Sequence, residues 1–320
     1  MGIRVPAEWE KQKSIMIVFP TTQKDWQHSI DEIQESYINF IKTIARFQNC
    51  IVICDTPELL KSFLKSFHNI EVHCIQTDDT WIRDFGAIDV FIDGTLKSYN
   101  FTFNAWGDKF ECSKDNRFNK TFFQKNILNI DFVLEGGSID SNGEGVMITT
   151  KNCIFNENRN STCSDITKKI KNLFGLKNLI VLEHGAIIGD DTDSHVDTLA
   201  RFIDKKSIVY TKCYDKNDIH FEELQKMEKE LQKTDFRLIP LPLPSKKLYK
   251  KRRLPATYIN FVFINDAIII PTYNDKNDKK VLEIFKKEIK NRKIIGIDAS
   301  IFIREYGSLH CSCISQMLQI

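Results

Sequence analysis

The sequence has no run approaching the roughly 18 apolar residues of a membrane-spanning helix. Its opening residues, Met1 to Pro6, form no apolar signal core, and Pro6 stands where a myristoylation motif wants Ser or Thr. Nor is one charge in surplus: 45 Lys and Arg face 43 Asp and Glu, a formal net charge of +2. That balance gives no general pull toward nucleic acid or a membrane surface. A Pro- or Ser-rich linker, a residue-level repeat and a nucleotide-binding motif are also missing. These absences predict a cytoplasmic protein folded as one domain over residues 1–320, with no nucleic-acid or membrane partner.

What is present fits a globular chain. Hydrophobic residues make up 42% and charged residues 28% of 320, which is enough for a large core without covalent staples. Nine cysteines, an odd number without a secretion signal, point to free thiols in a reducing compartment. Most of them are expected to be inert core fillers.

The apolar pattern alternates between short strands and amphipathic helices, an α/β class. Ser14 to Phe19 predicts a strand, Asp31 to Phe47 a helix, residues 51–53 a strand, Pro57 to Phe67 a helix and Glu71 to Ile75 a strand. Helix then strand recurs at 165–174 and 178–182, at 221–233 and 236–239, and at 279–289 and 293–297. Strands without helices are expected at 86–92, 145–149, 207–210, 259–264 and 267–270, with Asn265-Asp266 as a tight turn. Six basic residues between Ser245 and Arg253 suit a solvated loop. No aromatic interleaving supports nucleic-acid binding there.

Four segments carry candidate chemistry. Cys311 follows Gly307-Ser308-Leu309-His310, and a cysteine with a distant histidine is a pattern for covalent catalysis, although a lone Cys is commonly inert. His195 lies in Gly189-Asp190-Asp191-Thr192-Asp193-Ser194-His195-Val196-Asp197. If extended, that segment turns His195 and Asp197 to one face. So many acids are costly unless solvated, metal-bound or facing a cation, but their spacing does not match an EF-hand calcium loop. In Trp81-Ile82-Arg83-Asp84-Phe85-Gly86, strand alternation would separate Ile82 and Asp84 from Trp81 and Arg83. Glu135-Gly136-Gly137-Ser138 lets backbone pass close to something or simply turns. Together these supply a thiol, a histidine with an orienting acid, and further carboxylates, which suit a planar guanidinium.

In order along the chain, these motifs resemble the agmatine deiminase branch of the guanidine-group-modifying enzymes. The resemblance extends over Phe103-Asn104-Ala105-Trp106-Gly107, Asn156-Glu157-Asn158-Arg159-Asn160, Ala200-Arg201-Phe202, the segment Arg253 to Phe261, and His310-Cys311. It implies a five-bladed, pseudo-symmetric α/β propeller with a central active-site channel. It also implies Cys311 as nucleophile, His195 as general acid and base, Asp84 and Asp197 as guanidinium clamps, and Glu135 as support for His195. Trp81 and Asp191 would line the pocket. No metal or other cofactor is implied; the partner is a small guanidino substrate, and a homodimer is the assembly to test. The chain departs from the family at Arg304-Glu305-Tyr306-Gly307-Ser308, where several glycines are usual, at Cys313-Ile314-Ser315 after the nucleophile, and at Ala87. Within the same superfamily, the alternative is an arginine or peptidyl-arginine deiminase; free arginine would need a cation at the pocket mouth, for which Arg304 is the candidate. A metal-binding or redox module built on His310, Cys311, Cys313 and His195 is the alternative of another class. It lacks the second Cys pair of a structural zinc site.

Overall fold

The computed structural model describes residues 2–21, 26–60 and 68–319. Among them, five sheets repeat one plan: an antiparallel strand pair, then a helix, then a strand parallel to the second of the pair. Cys313–Met317 pairs antiparallel with Gln12–Val18, which runs parallel to Asn49–Ile53 across helix Ile30–Ala45. The second sheet joins Ile88–Ile92, Thr95–Thr102 and Leu128–Val133 around helix Ser113–Phe123. The third joins Ile139–Ser141, Val146–Thr150 and Asn178–Leu182 around helix Ile166–Phe174. The fourth joins Ala200–Asp204, Ser207–Lys212 and Arg237–Pro242 around helix Phe221–Leu231. The fifth joins Val262–Ile264, Ala267–Thr272 and Lys293–Asp298 around helix Asp278–Glu288.

Local chemistry explains the plan. Residues 14–19 and 267–271 are buried without a break, as expected of strands covered on both faces. Ile33, Tyr37, Phe40, Ile41 and Ile44 recur at helical spacing and are all buried. Asp266 turns the last hairpin at φ 60°, in the left-handed conformation that Asp tolerates. The expected helix from Pro57 is described as the short turn Pro57–Leu60, and its remainder lies outside the described residues. Ser245 to Arg253 folds into a small hairpin, Leu248–Tyr249 against Arg252–Arg253, rather than an open loop.

Each sheet hands the chain to the next through a connection after its helix-following strand. These five connections contain Trp81 to Asp84, Glu135 to Gly137, His195 to Asp197, Asn260, and Cys311. Two of them differ from the extended reading. Ile82–Phe85 is one helical turn, closed by Asp84 N to Trp81 O at 3.0 Å. Val196–Thr198 is a 3-10 turn, in which both the amide and the hydroxyl of Thr198 donate to His195 O, at 3.2 and 2.8 Å. Strand alternation fails in both because buried backbone groups find partners by turning back on themselves.

Candidate active site

Cys311 sits between the turn Phe302–Glu305 and the closing strand Cys313–Met317. Its Sγ lies 3.5 Å from Asn260 Oδ1 and 3.9 Å from Asp197 Oδ2. Asn260 Oδ1 also accepts from His310 N at 2.8 Å and Cys311 N at 3.3 Å, while its amide donates to Asp197 O at 3.3 Å. One buried side chain thus ties the nucleophile's backbone to the backbone carbonyl of Asp197.

His195 is buried between two acids. Its Nδ1 is 3.6 Å from Asp84 Oδ1 and its Nε2 is 3.8 Å from Glu135 Oε2. Asp84 is held by the Gly137 amide on Oδ1 and the Trp106 indole N–H on Oδ2, both at 2.9 Å. Ala105 and Trp106 adopt φ of 50° and 58°, a conformation costing about 1–3 kcal/mol per residue, tolerated where the surroundings over-determine it. Gly137 lies against all three groups: a Cβ there would meet His195 Nδ1 at 2.6 Å, Asp84 Oδ1 at 2.9 Å and Asp197 Oδ2 at 3.1 Å. Arg159 donates from Nε to both oxygens of Glu135, at 2.9 and 3.0 Å, and from Nη1 to Asp193 at 2.7 Å.

These groups open onto a cavity of about 300 Å³ lined by Trp81, Trp106, Phe110 and Tyr306 and by the acids Asp79, Asp190, Asp191 and Glu305. Neither Lys nor Arg is among its described lining residues. Gly307 lets the chain pass the indole of Trp81, since a Cβ would stand 2.5 Å from the ring. Asp190 is a turn cap, accepting from the Thr192 hydroxyl at 2.6 Å and the Ser194 amide at 2.8 Å. Asp193 is bound by Arg159 and Lys109. Arg304 is not at the mouth. Its guanidinium pairs with Glu32 and lies over the Tyr249 ring, so the cation that an arginine-specific reading requires is directed elsewhere.

Burial pushes the Cys311 thiol well above the ordinary range, and the carboxylates of Asp197 and Asp84 push it further. Burial also raises Asp84, against the opposing charge of His195. Asp197 and Glu135 run the other way: burial opposes ionisation, but His310 beside Asp197, and His195 with Arg159 beside Glu135, outweigh it and hold both below the usual carboxylate range. For His195, burial favours the neutral ring, but Asp84 and its other neighbours raise it well above the ordinary histidine value. The resting site is thus an acid-rich pocket with a protonated thiol.

Residues 4–316 match the Porphyromonas-type peptidyl-arginine deiminase family. The chain belongs to that family. With a cysteine-to-serine variant of the C. jejuni agmatine deiminase, solved with substrate bound, it shares 48% identity and a TM-score of 0.97, covering 99% of this chain and 96% of that one. Against the agmatine deiminase of Enterococcus faecalis the values are 25% and 0.90, over 100% and 97%. An amidinotransferase from Microseira wollei, at 11% identity and a TM-score of 0.51 over 98% and 96%, shares the fold.

All seven residues marked from sequence in this deiminase-family chain meet around one site: Cys311, His195, Asp197, Asp84, Trp81 and Asp191 line the cavity, and Glu135 backs His195. Sequence reasoning did not reach Glu8, and it quoted Asn260, Trp106 and Arg159 only within motifs. Each acts through a partner at least 22 positions away, so no local spacing marks it. Glu135, Cys153 and His195 bring donor atoms within 4.8 Å of one another. Glu135 is already engaged there by the Arg159 guanidinium, a cation where a metal would have to sit close by.

Proposed function

We propose that this chain hydrolyses agmatine to N-carbamoylputrescine and ammonia through a covalent Cys311 intermediate. The observation that carries the reading is the charge pattern of the cavity: a thiol and an imidazole between buried carboxylates, with further acids at the mouth. Agmatine has a cation at each end and no carboxylate. Its guanidinium fits between Asp84 and Asp197 as a planar donor to two acceptors. The substrate's charge then replaces what the acids lack, favours the thiolate, and places the central carbon over Cys311.

The thiolate adds to that carbon. His195 gives its proton to the departing nitrogen, and the carbon–nitrogen bond breaks to release ammonia. The S-alkyl thiouronium that remains is attacked by water, whose proton passes to His195. The carbon–sulfur bond breaks, returning Cys311 and freeing the ureido product. Glu135, locked by Arg159, would keep the imidazole in place through both steps. Trp81 and Asp191 would guide the chain and distal amine. No step calls for a metal or another cofactor.

The site lies where five sheet-to-sheet connections meet. That arrangement supports a five-bladed, pseudo-symmetric propeller with a central channel, in one catalytic domain over 1–320. Nine free cysteines are compatible with the reducing cytoplasm. The deciding experiment is ammonia release from agmatine and from arginine under identical conditions. The expected ratio of kcat/KM favours agmatine by about two orders of magnitude or more, since a carboxylate placed against acids is an uncompensated buried charge. A ratio near one, or a preference for arginine, overturns the assignment.

A further inference from the structure

Behind Asp197 the structure carries a second chain of charge that the reaction steps above do not use. His310, the residue before the nucleophile, lies with Nδ1 2.7 Å from Asp197 Oδ2 and Nε2 2.7 Å from Glu8 Oε2. The side chains of His310 and Asp197 are 2% and 0% exposed, and that of Glu8 10%. Glu8 is itself held: Arg201 Nη2 donates to Oε2 at 2.6 Å, the Phe263 amide to Oε1 at 2.8 Å, and Arg83 Nη2 lies 3.8 Å away. Arg201 is anchored in turn by Asp140 at 3.0 Å and lies over the Phe261 ring.

We propose that Glu8 and His310 are positioning residues, forming a buried carboxylate–imidazole–carboxylate chain that fixes Asp197 as a charged, oriented acceptor for the substrate guanidinium. This inference rests on Asp197 being a guanidinium clamp. Ionised carboxylates only accept hydrogen bonds. Each ring nitrogen of His310 is 2.7 Å from a carboxylate oxygen, so the imidazole links the two acids. Both acids are held in the ionised form. Burial opposes it, but Arg201 and His310 hold Glu8, and His310 holds Asp197, below the usual range. Asp197 is also faced by His195 and Arg201, which favour its charge, and by Asp84 and the Cys311 thiol, which do not. Asp197 Oδ1 has no hydrogen-bond partner among the described residues. The chain therefore occupies one oxygen and leaves the other for substrate.

The test is Glu8→Gln. The amide can still bond His310, but the carboxylate that orients the imidazole toward Asp197 is gone, so the support that holds Asp197 below the usual range weakens. Asp197 then protonates at higher pH, where it can no longer accept the guanidinium. The expected result is an acid limb of kcat/KM displaced upward by about one pH unit or more, with kcat/KM at neutral pH reduced. His310→Gln, which keeps a donor for Asp197 without charge, should move the limb in the same direction and serves if Glu8→Gln folds poorly. Asp89→Asn disturbs the small cavity that Glu8 and His310 share without touching either, and should leave the limb in place. A limb unmoved in both Glu8→Gln and His310→Gln, or moved equally in Asp89→Asn, overturns the proposal. Nitrogen NMR of the histidine rings gives a readout free of turnover: the ring signals absent in His310→Gln should shift in Glu8→Gln and stay in place in Asp89→Asn. Failure of the agmatine assignment appears instead as no ammonia from the wild-type protein.

Discussion

Gly137 shows how tightly single residues set this site. Its amide holds Asp84, and its missing side chain leaves room for His195 and Asp197. Gly137→Ala is therefore expected to lower kcat by about two orders of magnitude, because shifts near 1 Å in reacting groups cost that much; activity within a few-fold of wild type would show that the neighbours yield. Cys311→Ser should abolish ammonia release while leaving thermal unfolding unchanged, since a hydroxyl is a far weaker nucleophile at neutral pH. Cys313→Ser is the matched control. Burial pushes that thiol up to about 12, and it donates to backbone oxygens of Leu309 and His310, so most activity should remain. At this scale the sequence was legible where function demands a residue type within a short motif. It held Asn260 only inside a motif and did not reach Glu8, since both have meaning only through partners 51 and 302 positions away.

The helices and most strands were readable at the scale of elements, since amphipathic spacing and unbroken apolar runs are local properties. The turns carrying Asp84 and His195 were not, because each is shaped by buried backbone bonding rather than by side-chain alternation. The mouth is built from two such loops, Asp190 to Thr192 and Glu305 to Gly307. Burial and the neighbouring Asp190 raise Asp191 to about 6, against the pull of Lys109. A carboxyl whose folded value is raised binds a proton more readily in the native state, so its cost to stability grows as pH rises from about 4 to 6 and is fully present above that. Asp191→Asn should thus raise the melting temperature at pH 7.5 but not at pH 4, while raising KM for agmatine with kcat little changed. A fall in melting temperature at pH 7.5 would mean that Asp191 is only a turn residue. Arg304→Ala, which removes a pair with Glu32 outside the cavity, should leave both constants near wild type; a crippled enzyme would restore the arginine reading.

Across the whole molecule, buried ion pairs join parts of the chain far apart in sequence. Arg201 is fully buried and joins Glu8 to Asp140. Arg201→Met should cost roughly 3–5 kcal/mol in denaturant unfolding, because it removes the buried guanidinium from both carboxylates; a loss under about 1 kcal/mol would mean that water reaches them. Exhaustive chelation should leave turnover intact, and activity lost to a chelator and restored by zinc would place a metal at Glu135, Cys153 and His195. The strand that follows the nucleophile pairs with Gln12–Val18 near the other end of the chain. Gln12–Val18 must therefore wait until residues 313–317 have been made before its antiparallel neighbour exists. The other four sheets can close from nearer segments first, so the thiol is set among its acids only when this long-range pair forms.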